Sequence, residues 1–158
     1  MDIENLDIWS LDREVVLVRV VKASAADAFA AWTTAERFAV WFGPDGFNIK
    51  VREMNVLAGS CARFDMCAED GTVYTNRFTF IEVLPDRRLV MNHGSDVDNA
   101  DDCFRVTVTF DQQENGSTVV TLRQLHQTAE RREQVVGFGA VELGLQTLRK
   151  LGEYCGSH

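Results

Sequence analysis

Apolar and polar positions change their period three times along the chain. From Arg13 to Lys22 the run Glu14-Val15-Val16-Leu17-Val18-Arg19-Val20-Val21 is β-branched and continuous, which predicts a strand buried on much of both faces. Ser24-Ala25-Ala26-Asp27 then places a hydroxyl at an N-cap with a carboxylate three residues on, and predicts a short helix with Phe29 and Trp32 facing inward. Thr34, with Arg37 downstream, caps a second short helix carrying Phe38, Trp41 and Phe42, which Gly43-Pro44 and Asp45-Gly46 end.

Beyond Gly46 the pattern alternates, as strands require, and predicts five or six antiparallel strands up to residue 126. The segments are Phe47 to Met54, Cys61 to Cys67, Val73 to Val83, Arg88 to His93, Cys103 to Phe110 and Thr118 to His126. Asp70-Gly71 and Asn115-Gly116 are hairpin turns, whereas Gly94 to Asp102 is a polar, acidic loop whose length predicts mobility. From about Ala129 to Tyr154, Val135, Phe138, Val141, Leu145, Leu148 and Leu151 recur at steps of three and four. That spacing predicts one amphipathic helix of about 39 Å at 1.5 Å per residue, enough to cross a sheet. Residues 1–12 have no clear period and are expected to form an arm, with a single domain over 13–158.

One strand, two short helices, a meander and a long last helix do not alternate strand with helix, so the fold class is α+β. The expected architecture is a curved antiparallel sheet of six to seven strands wrapped around the C-terminal helix. A twisted sheet cannot touch a straight helix along its full length, so a space opens between them. The predicted inward set combines Phe64, Met66, Phe78, Phe80, Met91 and Phe104 from the sheet with Phe138, Val141 and Leu145 from the helix. Such residues either interdigitate as a solid core or line a small-molecule site. Two features favour an open space. Gly137, Gly139 and Gly144 each cost about 1 kcal/mol in a helix interior, which calls for close approach or for room. Asn76, His93, Gln124 and His126 interrupt the apolar faces, and each needs a partner, a water or a ligand.

The net charge of -8 on 158 residues repels phosphates, and basic residues are scattered apart from Arg87-Arg88 and Arg131-Arg132, so no nucleic-acid partner is expected. No segment reads as a membrane span or a secretory leader, which implies a cytoplasmic protein. Cys61, Cys67, Cys103 and Cys155 are widely spaced and read as reduced thiols; neither a metal site nor a cofactor is expected.

The segment from Ser24 to Phe47, with Trp32, the aromatic pair Trp41-Phe42, then Gly43-Pro44 and Gly46-Phe47, resembles the signature of the domain named for the activator of the heat-shock-protein-90 ATPase, a START-like (SRPBCC) family. The resemblance continues through Gly59 to Met66, Asp70-Gly71, the stretch Pro85-Asp86-Arg87-Arg88-Leu89-Val90, Val106 to Phe110, and the last helix from Gly137 to Leu148, covering about residues 13–155. Phe42 stands where the family often has a second Trp. The resemblance implies a helix-grip fold with a hydrophobic cavity. The family's eukaryotic cochaperone role goes with an additional N-terminal domain, for which the 12 residues before the first strand are expected to leave no space, so that role is not expected to carry over.

The leading expectation is non-catalytic binding of a small hydrophobic or aromatic molecule. Its candidate site residues are Trp32, Trp41, Phe42, Phe64, Met66, Phe78 and Phe80, together with Met91, His93, Phe104, His126, Phe138, Val141 and Leu145. A cyclase- or hydrolase-like enzyme using His93 or His126 as general base is the alternative, and its catalytic residues are otherwise unknown. A third reading is a protein-interaction or stress-related module that acts through the acidic loop Asp96 to Asp102. Exposed strand edges also admit a homodimer.

Overall fold

A computed structural model describes residues 6–157. Seven strands, β1 (Glu14–Val21), β2 (Phe47–Met54), β3 (Cys61–Ala68), β4 (Val73–Leu84), β5 (Arg88–Ser95), β6 (Phe104–Gln112) and β7 (Thr118–Leu125), form one antiparallel sheet. Its order is β1-β7-β6-β5-β4-β3-β2. The first two strands occupy opposite edges because α1 (Ala25–Thr33) and α2 (Ala35–Trp41) carry the chain across between them. The meander from β2 to β7 then fills the space by hairpins. Gly116, at φ 86°, supplies the left-handed backbone that the tight β6–β7 turn requires. Register shifts at Val51/Glu53 and Phe80/Glu82 are bulges, which bend strands and deepen the curl of the sheet. The result is α+β with a helix-grip arrangement: the inner face of the curved sheet holds α4 (Ala140–Ser157).

β1 is buried on one face, not on both. Val15, Leu17 and Val21 point into the core, while Val16, Val18 and Val20 are exposed. The reason is that helix covers only the inner face of this antiparallel sheet, and the continuous apolar run does not distinguish that case from a strand covered on both faces.

The C-terminal segment is two helices rather than one. α3 (Ala129–Gly137) ends at Phe138, and Gly139 adopts φ 95°, a left-handed conformation that cannot continue a right-handed helix. α4 therefore starts in a new phase. Gly144, Thr147, Leu148, Leu151 and Cys155 form its buried face, Leu145 is exposed, and Phe138 stands 80% exposed at the break.

The acidic loop after β5 is anchored. Asp96 receives Arg52 and Arg77, each at 2.7 Å, and Asp102 accepts from the Ser95 amide at 3.1 Å and from its hydroxyl at 2.5 Å. Part of the predicted arm also lies on the body. Leu6 is buried, Asp7 pairs with Arg105 at 3.2 Å, and Trp9 Nε1 donates to Glu14 at 3.1 Å. The arm's first five residues lie outside the described residues.

Candidate functional site

Local structure after β1 builds one wall. Ser24 Oγ accepts from the Asp27 amide at 3.1 Å and starts α1 as its sequence predicts, whereas Thr34 caps α2 through its backbone carbonyl, which accepts from Phe38 at 2.8 Å. Trp41 Nε1 donates to the Ala31 carbonyl at 2.9 Å and locks α2 against α1. That bond satisfies Trp41 inside the core, so the partner at the cavity is Trp32, edge-on to it with ring centres 4.9 Å apart. Phe42 stacks on Phe38 at 4.3 Å. Gly43, at φ 92°, then turns the chain so that Pro44 closes over the space; a side chain there would press on Ile49 and Met66. Gln146 accepts from the Asp45 amide at 3.1 Å, Arg149 pairs with Asp45, and Lys150 reaches the Pro44 carbonyl at 3.4 Å, so α4 holds this loop in place.

Between these elements and the sheet lies a cavity of about 380 Å³. Its floor is Met66, Phe78, Met91, Phe104, Val106 and Leu122 with the polar His93, Gln124 and His126. Its cover is Trp32, Phe42 to Pro44, Phe47 and Tyr74, with Val135 of α3 and Ala140, Leu143, Gly144 and Thr147 of α4. Among the described residues no Asp, Glu, Lys or Arg lines it.

Of the predicted site residues, Trp32, Phe42, Met66, Phe78, Met91, His93, Phe104 and His126 line this space. Trp41, Phe64 and Phe80 pack behind it as fully buried core, while Phe138, Val141 and Leu145 lie away from it because the break at Gly139 rotates α4. Leu143 and Thr147 take their place. The glycine pair around Phe138 was the available signal: a helix read through Gly137 and Gly139 assigns the wrong face. Phe47 and Tyr74 escape sequence reasoning because they belong to the ends of β2 and β4, and their rings meet across the intervening β3, 6.2 Å apart.

The polar side of the floor has a regular construction. Phe78 pairs with His93 across β4–β5, and His93 with Phe104 across β5–β6. Ring centres follow at 4.8 Å for Phe78–His93, 5.0 Å for His93–Phe104 and 5.0 Å for Phe104–His126. Phenyl and imidazole rings thus alternate in one row across the sheet. Asn76 donates to the Tyr74 carbonyl at 3.0 Å, which aims its Oδ1 at His93 Nε2, 2.8 Å away. Because Oδ1 can only accept, Nε2 carries the proton. Desolvation lowers the His93 pKa to about 4 against the opposing charge of Asp102. Burial, then the charges of Arg131 and Arg132, lower His126 to about 4. Both rings are neutral at neutral pH. Trp32 Nε1 and His126 Nε2 are buried with no hydrogen-bond partner among the described residues, a condition that costs roughly 1–3 kcal/mol apiece.

The model of the "Activator of Hsp90 ATPase homolog 1-like protein" family matches residues 22–156. The chain belongs to this family. Solved structures share the fold of this AHSA1-like chain at low identity. A solution structure from Arthrobacter aurescens aligns with TM-score 0.84 and 16% identity over 100% of this chain and 90% of that one. A crystal structure from Nitrosomonas europaea gives 0.82 and 18% over 94% and 97%. Another from Chromobacterium violaceum gives 0.72 and 19% over 92% and 98%. At such identities these likenesses establish the fold alone. No curated protein matches the AHSA1-like sequence. Among the described residues no helix is long and apolar enough to cross a membrane, and no three His, Cys, Asp or Glu side chains cluster as metal ligands.

Proposed function

We propose that this AHSA1-like protein binds a small, largely apolar molecule in the cavity between sheet and α4, without performing chemistry on it. The observation that carries this reading is the cavity itself: about 380 Å³, with apolar and aromatic walls and a few convergent polar groups. That volume sits at the low end of the roughly 300–1,000 Å³ typical of ligand sites, suited to a compact molecule rather than a two-chain lipid. Binding is favoured over catalysis because a general base works best with a pKa near the ambient pH, and both imidazoles lie near 4.

The test is a thermal-shift and ligand-observed NMR screen of neutral aromatics, alcohols and fatty acids against the wild type and against Ala140→Trp, which fills the cavity from the first turn of α4. Compounds that raise the melting temperature of the wild type are expected to leave Ala140→Trp unchanged. Equal shifts in both proteins would place binding elsewhere and overturn the reading.

A further inference from the structure

The chemistry of the cavity narrows the class of molecule it would take. Two buried polar atoms on side chains that line it, Trp32 Nε1 and His126 Nε2, have no partner among the described residues. Trp32 reaches the cavity from α1 and His126 from the residue after β7, so they belong to separate walls of one space. Both residues are at least nine-tenths buried, with 4% and 3% of their surface exposed. An indole N–H only donates, so what completes Trp32 is an acceptor. A neutral imidazole nitrogen accepts or donates according to tautomer, so what completes His126 is a hydroxyl or a carbonyl. Neighbouring polar groups differ in this respect: His93 is already satisfied by Asn76, and the Thr147 hydroxyl donates to the Leu143 carbonyl at 3.0 Å.

The second constraint is charge. An ionised ligand would leave water for a space with no charged side chain of the described residues on its walls, a costly transfer without a counter-ion. The third is shape. The alternating row Phe78, His93, Phe104 and His126 lines one side with rings 4.8–5.0 Å apart whose planes are inclined to one another by 87°, 45° and 30°, so that both faces and edges are offered, an aromatic wall that favours a planar π-system over a flexible alkyl chain.

Resting on the cavity-binding reading, we infer that the ligand is an uncharged, planar aromatic molecule carrying hydrogen-bonding oxygen, one oxygen accepting from Trp32 and a hydroxyl or carbonyl engaging His126. The indole and imidazole act as the specificity-determining groups, and the ring row acts as an aromatic wall.

Three probes of matched shape separate the requirements: 2-naphthol, naphthalene and 2-naphthoate, titrated at neutral pH into the full chain labelled with 15N. 2-Naphthol is expected to bind at least tenfold more tightly than naphthalene, and naphthoate more weakly than both. The indole N–H resonance absent from Trp32→Phe is expected to move downfield with 2-naphthol and not with naphthalene. In Trp32→Phe and, as an independent second variant, His126→Phe, the preference for naphthol over naphthalene should shrink while naphthalene binding persists. Naphthalene binding as well as naphthol, or naphthoate binding best, would overturn the inference and leave the cavity reading standing. Failure of all three probes to perturb any cavity resonance would overturn both.

Discussion

Gly144 of α4 sits so close to Leu17 of β1 that a Cβ placed on it would stand 2.4 Å from Leu17 Cδ1. Gly152, two turns on, faces the same strand differently, with Arg19 Nε 3.0 Å from its would-be Cβ. Both glycines cost about 1 kcal/mol of helix propensity relative to alanine, so propensity alone makes Gly144→Ala and Gly152→Ala equally stabilising. Packing separates them. Leu17 is buried in the core and has no free direction, and crowding of that kind costs about 1–3 kcal/mol. Arg19 is exposed and its long side chain can swing away. Gly144→Ala is therefore expected to destabilise by about 1 kcal/mol net, and Gly152→Ala to be neutral or stabilising by up to about 1 kcal/mol. Urea unfolding of the two variants checks this, and a stabilised Gly144→Ala would show that the contact yields freely.

The two cavity histidines predict a particular pH dependence. Each has a folded pKa of about 4 against an unfolded value near 6.5. Between those values the unfolded chain takes up protons that the native protein does not, so stability is full above about pH 6.5 and falls as pH is lowered toward 4. The groups facing them are Asp102, which opposes the shift at His93, and Arg131 and Arg132, which reinforce it at His126. Asp96 and Asp102 also have lowered pKa values; burial would raise both, but arginine pairing at Asp96 and the Ser95 bonds at Asp102 outweigh it. Their contribution is lost only below about pH 4, outside the histidine window. The loss is expected to reach about 3 kcal/mol per histidine at most, and His126→Phe should flatten the profile between pH 6.5 and 4.5. Urea midpoints across that range, with NMR titration of the imidazole protons, decide it; a histidine titrating near 6.5 in the native protein would contradict the expectation.

Strand positions, both short helices and the hairpin turns were legible in the sequence because each rests on short-range physics: alternation, capping and the left-handed freedom of glycine. The floor of the cavity was legible for the same reason, since Phe78, Met91 and Phe104 follow from strand parity once the inner face is chosen. What failed to read depends on contacts distant in sequence. Val16, Val18 and Val20 look as buried as Leu17 until the fold shows that helix covers only the opposite face of β1. Phe138 continues a helical stripe in sequence, yet the φ of 95° at Gly139 turns it into water and hands its position to Leu143. Trp32 and Trp41 are equivalent aromatics in the motif; only the Trp41 bond to Ala31 shows which indole is satisfied, and Trp32 Nε1 is buried without a partner among the described residues.

Asp96 is the group on which the acidic loop depends. Its carboxylate is 7% exposed and lies 2.7 Å from both Arg52 and Arg77 and 3.6 Å from Arg63, across three neighbouring strands. Its amide also donates to the Thr75 carbonyl at 3.1 Å. Removing one partner of a fully buried pair costs about 3–5 kcal/mol, because the other charge stays stranded. Here the arginines are partly solvated and each keeps a second carboxylate, Asp65 for Arg52 at 2.9 Å, Glu53 for Arg63 at 3.5 Å and Asp98 for Arg77 at 3.0 Å, which lowers the cost. Asp96→Asn is expected to destabilise by about 1–3 kcal/mol and to speed amide exchange from residue 95 to residue 102. Asp98→Asn is the internal control: its side chain is 88% exposed, and its loss is expected to change stability by no more than about 0.5 kcal/mol. Urea denaturation of both variants with hydrogen-exchange mass spectrometry makes the comparison, and equal effects of the two substitutions would mean that the loop is held by its backbone bonds and not by the arginine cluster.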